Sequence, residues 1–118
     1  MGAKLKNDLG NIHIDENVIS EIIGMSAMEC YGLVGMASKS AASGLTELLR
    51  RGNMSKGVRI ESDGDKLSID LYIVIQFGTR IGTVAQNVMD KVKYNVETTT
   101  GLKVEKVNIN VKDVRVQK

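Results

Sequence analysis

The stretch KLSIDLYIVIQF, residues 66–77, places Leu67, Ile69, Leu71, Ile73, Ile75 and Phe77 at every second position. Successive side chains of a β-strand point to opposite faces, so this unbroken two-residue period defines one long strand with a wholly apolar face. Such a strand needs neighbours for its backbone and a second layer to cover that face. One neighbour is written just before it. GVRIES, residues 57–62, is separated from the long strand by a turn holding Asp63-Gly64, a hairpin signal because both residues tolerate positive φ.

The covering layer is legible as two helical stripes. Asp15 reads as an N-cap, after which Ile19, Ile22, Ile23, Ser26, Ala27 and Cys30 recur at helical spacing, with Glu16, Ser20, Glu21 and Glu29 largely on the other side. This helix is expected to end near Tyr31 and Gly32. Ile81, Val84, Ala85, Val88, Val92, Val96 and Thr99 trace a second stripe, closed by Gly101. LGNIHI at 9–14 and LVGMA at 33–37 read as short strands. In the last strand, 102–113, Leu102 and Val104 stand at even positions but Val107, Ile109 and Val111 at odd ones. A β-bulge near Glu105 or Lys106 is needed for both sets to face inward. The fold class predicted is α+β, a two-layer sandwich ordered β-α-β-β-β-α-β, its mixed sheet carrying two helices on one face.

The 118 residues fit a single domain, with an ordered core over about 8–116 and a long variable loop over about 38–56. Aromatic residues at 3% and no tryptophan make the core aliphatic, and a net charge of +2 is far short of what holds a nucleic-acid backbone. One cysteine forms no internal disulfide, and MGAKLKNDLGN lacks a signal peptide's apolar run, so a cytoplasmic location is expected. LYIVIQF is too short to cross a bilayer as a helix, which leaves only peripheral membrane contact or contact borrowed through a partner.

Chemistry-bearing residues are sparse. His13 is the only histidine and points away from the face of Ile12 and Ile14, while Cys30 falls in register with the first helical stripe as a core residue. Zinc-ligand spacing is absent, and DGDKLSID lacks the ligand order of a calcium loop. No catalytic, cofactor-binding or metal-binding residue is assigned. Gly32-Leu33-Val34-Gly35 is similar to the G-x-x-G loop of KH domains, which makes a single-stranded nucleic-acid module the alternative reading. Its two middle residues are apolar and no helix pattern follows, so no nucleic acid is expected and Cys30, Gly32 and Gly35 read as a structural junction. GLTELLRRG at 44–52 sets Leu45, Leu48 and Leu49 beside Arg50 and Arg51 in a connection longer than most, with room for one or two helical turns. These five residues are the candidate interaction surface; they either cap an open edge of the domain, meet a protein partner, or meet an anionic membrane surface.

The I-x-I strand, the helix ending ECYGLVGMAS, the hairpin into LSIDLYIVIQFGTRI, and VAQNVMDKVKYNVETTTGLKVEKVNINVKDV together resemble the alkaline shock protein family of envelope stress response proteins, over about residues 8–116. The resemblance implies a non-enzymatic protein of mainly Gram-positive bacteria that self-associates as a homo-oligomer. It implies as partners a membrane anchor protein or a fatty acid kinase subunit, and a role in envelope stress or lipid homeostasis. Open strand edges, which must be paired or covered, are the expected surface for self-association.

Overall fold

The computed structural model describes residues 3–40, 48–50 and 53–116. The alternating stretch is the central strand of the molecule. In chain order the elements are β1 (Ala3–Asn7), β2 (Gly10–Ile14), α1 (Glu16–Met28), β3 (Leu33–Met36), a 3-10 turn (Met54–Gly57), β4 (Val58–Asp63), β5 (Lys66–Gln76), α2 (Ile81–Thr100) and β6 (Lys103–Arg115). The fold is the expected α+β sandwich. β5 is paired on both sides: β4 runs antiparallel to its first half and β3 antiparallel to its second, while β6 runs parallel along its whole length on the other edge.

Leu67, Ile69, Leu71, Ile73 and Ile75 are all 0% exposed beneath the two helices. Burying each such side chain contributes roughly 1.5–3 kcal/mol relative to leaving it in water, so this row supplies much of the core. Phe77, counted in the same row from sequence, falls outside the strand and is 68% exposed. Gly78, at φ 93°, turns the chain toward α2 immediately after it. α2 buries Val84, Val88, Val92 and Val96 and ends on Gly101 at φ 80°, as the stripe predicted, although Ile81 and Thr99, at its two ends, are exposed.

α1 is N-capped by Asp15, whose carboxylate accepts the Asn17 N–H at 3.1 Å. It ends earlier than expected, at Met28, because the N–H groups of Glu29 and Cys30 turn back to Ser26 and Ala27 in tightened bonds. Ser20, placed on the polar side from sequence, is fully buried, since α1 is covered by more than the sheet alone. Its neighbours include α2 and the 3-10 turn.

Two features depart from the predicted order. β1 precedes β2, and the two form a separate antiparallel hairpin rather than joining the main sheet. β1 alternates lysines with Ala3 and Leu5, a pattern too short and too polar to stand out. In β6 the predicted bulge is present: Leu67 pairs with Val104 and Ser68 with Lys106, leaving Glu105 as the extra residue. A second shift makes Lys112 extra between Val111 and Asp113.

Candidate interaction surface

α1 is apolar on more sides than one. Ile19, Ile23 and Ala27 face the core, yet Val18, Met25 and Met28 face solvent, the two methionines at 45% and 44% exposure. α2 differs, presenting Gln86, Asn87, Asp90 and Lys93 outward, with Tyr94 exposed among them. Met25, Met28 and Glu29 line a groove of about 420 Å³ together with Leu49 and the buried Met54, its floor. Gly24 makes the floor accessible to the helix: a Cβ there would stand 2.8 Å from the Cγ and Sδ of Met54. Unbranched thioether side chains adapt their shape to different partners, so a methionine-lined groove suits protein docking.

The groove's acidic end is anchored. Glu29 pairs with Lys91 at 3.5 Å and accepts from the Asn95 amide at 3.5 Å, and Asn95 also donates to the Ser26 hydroxyl at 2.9 Å. This polar seam holds α1 against α2. Sequence reasoning passed over Met25, Met28 and Met54. The available signal was Val18, Met25 and Met28 at seven- and three-residue intervals, a second stripe outside the core one.

The leucine-arginine segment is divided by the structure. Leu48 makes an antiparallel bridge with Ala37, and the Leu49 N–H donates to the Met36 carbonyl at 2.9 Å. The Leu48 side chain lies over Gly35, 2.9 Å from where a Cβ would be, while Leu49 lines the groove and touches the main core. The two leucines therefore straddle the edge of β3. Arg50 is exposed beside them, and no helical turn forms at 48–50. Leu45 and Arg51 lie outside the described residues.

Cys30 is half-buried just past α1, its Sγ 3.7 Å from the Ser26 carbonyl. Burial pushes its thiol pKa above the ordinary 9.0; Lys91 opposes this and Glu29 adds to it. A thiol held protonated at neutral pH is a poor nucleophile. Gly32 takes φ 89° to turn the chain into β3, and a Cβ there would meet Val84 Cγ2 at 2.7 Å. Gly35 lies inside β3 under Leu48. The G-x-x-G stretch thus enters a strand and does not join two helices, and it offers no exposed cradle for a phosphate.

His13 is exposed on β2 opposite Lys4. Among the described residues, no group of three His, Cys, Asp or Glu side chains is placed to hold a metal, and no helix is long and apolar enough to cross a membrane. A second cleft of about 500 Å³ is lined by Lys66, Lys93 and Lys103 together with Glu97 and Glu105. Glu97 is already committed, its Oε2 accepting the Val104 N–H at 2.9 Å.

Comparison with known proteins gives this geometry a context. The chain is 48% identical over 98% of both chains to the uncharacterized protein YloU of Bacillus subtilis. It is 26% identical to a stress response regulator gls24 homolog of Streptococcus pyogenes, over 90% of this chain and 59% of that one. The solved structure of MamM-CTD H285A shares the fold alone, with a TM-score of 0.51 at 12% identity over 84% of this chain and 98% of that chain. The profile of the alkaline shock protein family, described as having a cell envelope-related function, matches residues 4–116. By that match over nearly its whole length, the chain belongs to the alkaline shock protein family, whose function is cell envelope-related.

Proposed function

We propose that this protein is a non-enzymatic scaffold in cell-envelope stress or lipid homeostasis, which associates with copies of itself and docks a protein partner. In this reading the partner is a membrane anchor protein or a subunit of a fatty acid kinase. The scaffold itself stays in the cytoplasm and reaches the membrane only through that partner. The observation that carries the reading is the outward apolar face of α1, with Met25 and Met28 over the Leu49 and Met54 groove. An apolar helix face left in water beside an apolar groove has the composition of an interface core, where methionine is enriched and charge depleted.

The test is affinity capture of the tagged protein from its native cell, followed by identification of what comes with it, for the natural chain and for a Met25→Glu/Met28→Glu double variant. Both side chains are nearly half exposed, so the variant is expected to keep its melting temperature within a few degrees. It is expected to lose the captured partner. Equal capture by a folded variant would remove α1 from the docking surface.

A further inference from the structure

Among the described residues the sheet has two open edges, and the hydrogen-bond pattern shows which backbone groups each presents. Alternate residues of β5 turn to opposite neighbours. The Asp65 carbonyl accepts from Lys103 and the Phe77 N–H donates to Arg115, toward β6, whereas Tyr72 and Gln76 bond Ala37 and Gly32 on the other side. With the paired registers, this alternation directs the backbone groups of Arg59, Glu61 and Asp63 in β4, and of Lys106, Asn108 and Asn110 in β6, toward β5. Val58, Ile60 and Ser62 of β4 and Val107, Ile109 and Val111 of β6 therefore aim theirs outward. No described strand pairs with either outer edge.

Both ends of this open stretch of β6 are capped, one by α2 and one by β6 itself. The Val104 N–H is taken by Glu97 at 2.9 Å and the Val114 N–H by Asp113 Oδ1 at 2.8 Å, each beside a bulge. Between the bulges the regular segment runs over six residues, 106–111, and β4 is also six residues long. Self-pairing of β6 about Ile109 would bring Lys106 of one copy against the bulge at Lys112 of the second, like charge beside like at both ends of the regular stretch.

We propose that copies of this chain join head to tail, β4 of one copy adding antiparallel to β6 of the next. Resting on the self-association reading above, this names its interface. Val58 then faces Val111, Ile60 faces Ile109 and Ser62 faces Val107, all on the helix side of the sheet and all with outward backbone groups. On the opposite face Arg59 meets Asn110, Glu61 meets Asn108 and Asp63 meets Lys106. No like charges oppose one another, and Asp63 with Lys106 is an opposite pair. The Val58 N–H is already bonded to Ser55, so the ladder is made by Ile60, Ser62 and the Val58 carbonyl. Because the two edges differ, the contact is heterologous and leaves a new β4 and a new β6 at the ends, so assembly continues past two copies.

Sedimentation velocity of the full chain over a concentration series tests this, with circular dichroism as the check on folding. The weight-average mass is expected to rise steadily without a plateau at two copies. Lys106→Asp and Asp63→Lys, both exposed changes, are each expected to weaken association about tenfold, and the double variant Asp63→Lys/Lys106→Asp to restore it. A plateau at two copies, or association indifferent to both single changes, overturns this interface while leaving self-association standing. A natural chain that stays monomeric at high micromolar concentration overturns both.

Discussion

Gly57 is held by a contact twenty residues away in sequence. A Cβ there would stand 2.5 Å from the Ala37 carbonyl oxygen and 2.8 Å from Leu49 Cδ1. Backbone cannot move aside cheaply, because the Ala37 N–H is bonded to Tyr72 of the central strand at 2.9 Å. Gly57→Ala is therefore expected to destabilise the protein by about 1–3 kcal/mol. Gly82, in the first turn of α2, meets nothing within 4 Å. Gly82→Ala is expected to stabilise by about 0.5–1 kcal/mol through helix propensity and a less entropic unfolded chain. Urea denaturation of the two variants would show opposite signs. Neither sign is legible in the sequence, where Gly57 reads as the start of a strand and Gly82 as a residue in a helical pattern. Gly101 and Gly64 are different, since a closing stripe and an Asp-Gly turn announce positive φ locally, and both have it, although the turn's central pair is Gly64-Asp65 and Asp63 ends β4 opposite Lys66.

At the scale of elements, the parity change between Val104 and Val107 predicted a bulge, and the register places it at Glu105. Face alternation is a strict local rule, so a break in it is visible from sequence alone. The second bulge, at Lys112, leaves no break of parity within the predicted strand, 102–113, because the next apolar residue after Val111 is Val114. Glu97 ties the first bulge to α2 by accepting the Val104 N–H. Glu97→Ala removes that acceptor. It is expected to cost about 1–2 kcal/mol and to speed amide exchange at Val104, measurable by exchange-resolved NMR, with β5 amides still protected. The end of α1 was misjudged by the reverse logic. Cys30 fits the stripe's spacing, but the chain must leave the helix early enough for Gly32 to turn and Leu33 to pair with Ile75.

At the scale of the whole molecule, the structure is elongated, 52 × 24 × 19 Å. The β1–β2 hairpin lies at the end carrying the β4–β5 turn, where Lys4, Leu5 and Lys6 share a cleft with Gly64 and Asp65. A two-stranded hairpin is marginal alone, and this one is held by buried Ala3 with Leu5 and Ile14 against the core. Ala3→Glu would bury a charge, so the hairpin is expected to undock. Hydrogen exchange should then accelerate across residues 3–14 while β5 stays protected; coincident loss of both would show that the hairpin and sandwich unfold as one unit. By itself the sequence determined the central strand, both helices, the β4–β5 hairpin and a bulge at Glu105 or Lys106, because periodicity and turn chemistry act within a few residues. Only the tertiary structure decided which strands flank β5, that Leu48 and Leu49 straddle β3, and that Met25 and Met28 line a groove. Those outcomes depend on which distant surfaces meet, and an apolar residue's spacing is the same whether the face it occupies becomes covered or stays open.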